Sequence, residues 1–139
     1  VKLSEASGIG GIATSGRHGR SLSRGIADSV TVLAPSAALA DAGATMVANA
    51  VDLKGHPAIM RRAANDIKDD CDLGALPVVT GCGALSVSDK TRALQNGLAE
   101  AEKFCRNGWI NAASLHLQNV AVSTETAAKF LTHRDHAYV

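Results

Sequence analysis

The chain has 139 residues, with 14 basic and 13 acidic side chains and a formal net charge of +1. That length suits one domain with its own core and is marginal for two, and 46% hydrophobic against 19% charged residues excludes a disordered tail. The balanced charge gives nucleic acid and acidic membranes no electrostatic reason to bind, and no apolar run approaches the roughly 18 residues of a membrane span.

In chain order, residues 9–14 form a β-prone run behind a glycine-rich approach, and the polar, basic residues 17–24 read as a loop. Residues 26–34 alternate apolar and polar positions, as a half-buried strand does. Pro35 stops that strand and Ser36 is a good N-cap for a helix over about 37–53. Gly55 stands where a left-handed cap belongs, with Pro57 behind it. Residues 57–66 read as a short helix with Pro57 at its first position, and 67–74 as a charged turn. A short strand over 77–80 leads into a turn at 81–83. The clearest helix spans about 89–106, capped by Ser88, with Leu94, Leu98, Ala101 and Cys105 on one face. Strands are expected at 114–117 and 119–122, with His116 facing opposite to Leu115 and Leu117. Residues 124–139 read as a tail with a short helix; His133 and His136 have helical metal-ligand spacing there, though a surface tail is the better reading. Strands and helices alternate within a single domain over 1–139, which gives an α+β or α/β class.

The chain contains 25 alanines and only four aromatic residues. Its core must therefore be built from small side chains that each bury little area. A partner subunit, identical or not, is an expected source of the missing contacts. Val1 is not an initiator methionine and residues 1–7 lack the pattern of a secretory leader, so the chain reads as a processed product or part of something longer, in the cytoplasm. Cys71, Cys82 and Cys105 form no C-x-x-C pair and read as small hydrophobes in a reducing compartment. Cys82, between Gly81 and Gly83, is the one thiol a turn could present as a nucleophile.

Two segments carry chemistry. Thr14, Ser15, Gly16, Arg17, His18, Gly19 and Arg20 place hydroxyls, backbone N–H groups and guanidinium groups within a short span, the donors that a phosphate or carboxylate needs. His18 can serve there as general acid or base, while a solvated basic loop is the plainer reading. On the helix over 37–53, Leu39, Gly43, Met46 and Ala50 fall on one side, and Asp41, Thr45, Asn49 and Asp52 nearly opposite. Asp41 and Thr45, one turn apart, suit a hard cation such as Mg²⁺; the plainer reading is a solvated polar face.

The run GIATSGRHGRSLSRGIADSVTVLAPSAALADAGATMVANAVDLKGHPAI resembles the UPF0280 family of the ApbE-like (FAD:protein FMN transferase) superfamily, most specifically in ATSGRHGRS and ADAGAT. The resemblance implies an ApbE-like layered fold of which this chain forms the C-terminal half. It implies Thr14, Ser15 and Gly16 near a flavin nucleotide, with Asp41 and Thr45 as Mg²⁺ ligands. It also implies a second chain carrying the N-terminal half. The H-x-x-D-P-x-T-G segment of the transferases is missing between the two motifs, which separates this chain from transfer of FMN onto protein threonine. Asp28 is the nearest acid, without an assigned role.

The leading expectation is an enzyme subunit that binds an anionic small molecule through Thr14, Ser15, Gly16, Arg17 and Arg20, with a flavin nucleotide as the implied ligand and Mg²⁺ at Asp41 and Thr45. One alternative is a hydrolase of a small anionic amide or ester that uses Ser15 and His18 without flavin. The other is a non-catalytic structural or ligand-binding subunit.

Overall fold

A computed structural model describes residues 8–18, 22–69 and 71–130. Among these residues six strands and three α-helices follow one another as β1 (Gly11–Ser15), β2 (Ser29–Ala34), α1 (Ala37–Ala50), β3 (Ile59–Ala63), α2 (Ala64–Ile67), β4 (Pro77–Cys82), α3 (Val87–Arg106), β5 (Ala112–Leu117) and β6 (Val120–Ser123). Four strands make an antiparallel sheet in the order β1-β2-β5-β6, and β3 pairs antiparallel with β4 as a separate ribbon. The fold is α+β.

The alternation that predicts β2 also sets the core. Val30, Val32 and Ala34 are fully buried on its inner face, beside Ala113, Leu115 and Leu117 of β5. Helices α1 and α3 pack on this layer. Ser36 caps α1 by accepting from the Leu39 N–H at 3.2 Å. The buried stripe of α1 is Ala40, Gly43, Ala44, Val47 and Ala48, whereas Leu39 and Met46 are exposed. The expectation that Leu39 and Met46 face inward with Gly43 is therefore corrected. Small residues let α1 lie close to the sheet: a Cβ on Gly43 would stand 2.8 Å from the Ile110 side chain.

Several boundaries differ from the sequence reading. Gly81 and Cys82, expected in a turn, extend β4. Residues 59–63 are a strand, not part of a helix, because pairing with β4 and burial of Ile59 outweigh the Pro57 start signal. Helix α3 begins two residues early, its cap being the Ser86 hydroxyl that accepts from the Asp89 N–H at 3.1 Å, rather than Ser88. Gly55 has the left-handed φ of +74°, but α1 ends at Ala50 and Gly55 serves the later turn. The first part of the expected tail is packed: Thr124 and Ala127 are buried, around a 3-10 turn at Glu125–Ala127. His133, Asp135 and His136 lie outside the described residues.

The other face of the sheet carries Thr14, Thr31, Ser114 and Ser123 in one row across the four strands. The Thr14 and Thr31 hydroxyls meet at 2.9 Å. The β5–β6 turn is made by Gln118 and Asn119 with φ of +44° and +69°, the two positive values a tight hairpin of this twist requires.

Candidate functional site

Strand β1 ends at Ser15 and delivers its side chain to the face that carries α1, with Gly16 directly after it. The Ser15 Oγ stands 3.4 Å from Thr45 Oγ1, so the two motifs, 30 residues apart in sequence, meet. Period-2 alternation sends Thr14 to the opposite face, onto Thr31, so Thr14 does not join Ser15. Gly16 is required sterically, since a Cβ there would run into the Asp28 carbonyl and the start of β2. The Arg17 N–H donates to Ala27 O at 3.0 Å and is not free for a ligand, which corrects part of the backbone-donor expectation. Arg20 lies outside the described residues.

The polar stripe of α1, with Asp52 just beyond the helix end, has a structural use along most of its length. Thr45 meets Ser15, Asn49 Oδ1 accepts from the Arg24 N–H at 3.2 Å, and Asp52 pairs with Arg61. Asp41 is exposed, and its side chain makes no hydrogen bond or ion pair with another described residue. Asp41, Thr45 and Ser15 offer oxygen donors only, with a single carboxylate. That set fits a Mg²⁺ that keeps several waters and takes further oxygens from a bound phosphate. Among the described residues no group of three His, Cys, Asp or Glu side chains gathers as a self-sufficient metal site.

Just before β2, two residues ahead of Val30, the register partner of Ser15, stands Asp28. Its Oδ1 accepts from His18 Nε2 at 2.9 Å, its Oδ2 accepts from the Gln118 N–H at 2.7 Å, and Arg17 Nε lies 3.9 Å from Oδ1. Ser15 and His18 thus take different partners, Thr45 and Asp28, and are not hydrogen-bonded to each other as a nucleophile and its base would be. Gln118 reaches further: its Oε1 accepts from the Leu85 N–H at 2.9 Å and its Nε2 donates to Gly83 O at 2.8 Å. Cys82 is half-buried at the end of β4, its sulfur 3.8 Å from Gln118 Nε2. Burial pushes its thiol pKa up, Arg17 offsetting part of the rise, so the thiolate a nucleophile needs is disfavoured.

Asp28 and Gln118 were not assigned from sequence. Gln118-Asn119 between two alternating runs is a hairpin signal, but nothing local tells that the turn folds back onto Asp28. A broad cleft of about 950 Å³ opens at the other end of α1, between Asn49, Leu53, His56, Arg92 and Asn96. It contains no residue of either motif core, and it is a valley between helices. The site is therefore placed by converging side chains rather than by volume.

The structure thus defines a layered α+β protein with a polar site where β1, β2 and α1 meet. Over residues 1–128 the chain matches the family described as AbpE bacteria, and it belongs to that family. No curated protein and no solved structure gives a significant match. Among the described residues no helix is long and apolar enough to cross a membrane.

Proposed function

We propose that this chain binds a small phosphorylated anion at the end of β1, with Mg²⁺ held by Asp41 and Thr45. The observation that carries the reading is the 3.4 Å approach of Ser15 to Thr45, which joins the hydroxyl-rich motif to the acidic helix. Arg17 and the Ser15 hydroxyl orient the anion, and Mg²⁺, when bound, polarises a phosphoryl oxygen. A flavin nucleotide, the ligand implied by the resemblance to the ApbE-like superfamily, carries such a phosphate and is the first compound to test.

Calorimetric titration with FMN, in MgCl₂ and in EDTA, tests this. FMN is expected to bind the wild type in a Mg²⁺-dependent manner, and Asp41→Ala to weaken binding roughly tenfold or more in MgCl₂ only, as loss of a metal contact does. Absence of FMN binding, or binding indifferent to both Mg²⁺ and Asp41, would overturn the reading and leave a structural or other ligand-binding role.

A further inference from the structure

We propose that His18 is the proton-transfer group of this site, working through Nδ1, with Asp28 and Gln118 as its positioning residues. The proposal rests on the reading that an anionic ligand lies at the end of β1, and adds what is done to it there. Its basis is four segments brought together by hydrogen bonds: His18 on Asp28 Oδ1 at 2.9 Å, the Gln118 N–H on Asp28 Oδ2 at 2.7 Å, and the Gln118 amide on Gly83 and Leu85.

Both oxygens of Asp28 are engaged, and its own N–H donates to His116 O at 2.9 Å, so the carboxylate cannot swing. Gln118 holds a left-handed φ of +44°, where glycine would fit a tight turn more easily. Its side chain accounts for the choice. The amide is anchored at both ends, and the Gln118 carbonyl accepts from Lys90 Nζ at 3.1 Å, which fixes the turn and hence the N–H that clamps Asp28.

A carboxylate only accepts hydrogen bonds, so the shared hydrogen sits on His18 Nε2. In the neutral ring the lone pair is then on Nδ1, which makes no hydrogen bond among the described residues, and the side chain is 62% exposed. Among the described residues the charged groups around the ring are Asp28 and Arg17, with Lys90 and the uncharged Cys82 thiol behind Gln118. In a proton transfer, Nδ1 accepts the proton of an attacking hydroxyl or water and the ring becomes imidazolium. Its Nε2–H stays on Asp28, whose charge offsets the new positive charge. Return of the Nδ1 proton to a departing oxygen restores the neutral ring. This is a base oriented by a third group, and its substrate class is an anion that reacts with a hydroxyl or water.

The test uses ligand-free, ¹⁵N-labelled protein at about pH 8, where an ordinary imidazole is neutral. Two-bond ¹H–¹⁵N correlations are expected to give roughly a tenfold excess of the Nε2–H tautomer at His18, the ratio that a hydrogen bond to a charged acceptor supports. Asp28→Asn is expected to remove most of that excess. Gln118→Gly keeps the left-handed turn, loses both amide anchors and is expected to remove part of it. Carbethoxylation of His18 by diethyl pyrocarbonate, followed by mass spectrometry, should slow several-fold in Asp28→Asn relative to His116 in the same molecule. A tautomer ratio in the wild type no greater than that of free histidine, or an unchanged ratio in a folded Asp28→Asn, would overturn the proposal; if that variant does not fold, Gln118→Gly decides on the same readouts. A locked tautomer without FMN binding overturns the ligand reading alone, whereas FMN binding with an unlocked tautomer overturns this proposal alone.

Discussion

Among the described residues stand two histidine–aspartate pairs of nearly equal length, His18–Asp28 at 2.9 Å and His56–Asp89 at 2.8 Å. His56 uses both ring nitrogens, since Nδ1 also accepts from the Ala58 N–H at 3.1 Å, and its side chain is 19% exposed. It ties the loop after α1 to the first turn of α3. His18 uses only Nε2 among the described residues, and its side chain is 62% exposed. The same contact therefore serves as a pin in one place and as an oriented, reachable base in the other. What separates them is the second nitrogen, not the length of the shared bond.

The largest expected effect is on the pin. His56→Ala removes two hydrogen bonds from a partly buried junction and leaves the Ala58 N–H without its acceptor. Thermal unfolding should fall by several degrees while FMN affinity stays within a factor of two or so, because the junction lies away from the Ser15–Thr45 meeting point. A lowered FMN affinity in a folded His56→Ala would merge the two regions and end the distinction.

The next effect is one of pH. The His56 hydrogen bond, first among the causes, together with Ser86, holds the Asp89 carboxyl below the usual carboxylate range. A carboxyl depressed in the folded state contributes stability that is present above about pH 4 and is lost as pH falls through the lowered value, because the unfolded chain takes up the proton first. Denaturant midpoints measured from neutral to acid pH should therefore fall less steeply in Asp89→Asn than in the wild type. Parallel acid limbs would show that the pair adds nothing to folding.

Much of the fold was legible in the sequence, and the misses have physical causes. The Ser36 cap, the alternation of β2 and the apolar face of α3 are local signals, and β2, α1 and α3 follow from them. The five residues of β3 are too few to reveal a period, and their pairing with β4 is a non-local fact. The buried face of α1 is set by closeness rather than by bulk: Leu39 and Met46 are large apolar residues on that helix, yet the close approach to the sheet admits only Ala, Gly and Val. At the site, the sequence marked Ser15, His18, Asp41 and Thr45 as separate groups. The contact that completes the histidine's geometry joins Asp28 to Gln118 across 90 residues, and no spacing rule reaches that far.

The smallest expected effect sharpens the comparison most. His18→Ala removes a ring that is 62% exposed and whose partner keeps its other hydrogen bond, the Gln118 N–H on Asp28 Oδ2. The freed Oδ1 belongs to a side chain that is 31% exposed, so water can replace the imidazole, and no buried polar atom is orphaned. Stability should then change by no more than about 0.5 kcal/mol, the range of surface substitutions away from structural features. Equilibrium urea unfolding checks this, read beside His56→Ala on the same day and buffer. A loss as large as that of His56→Ala would make His18 a second pin. An unchanged midpoint leaves Asp28 and Gln118 holding a residue the fold does not need, which is the arrangement a reacting group requires.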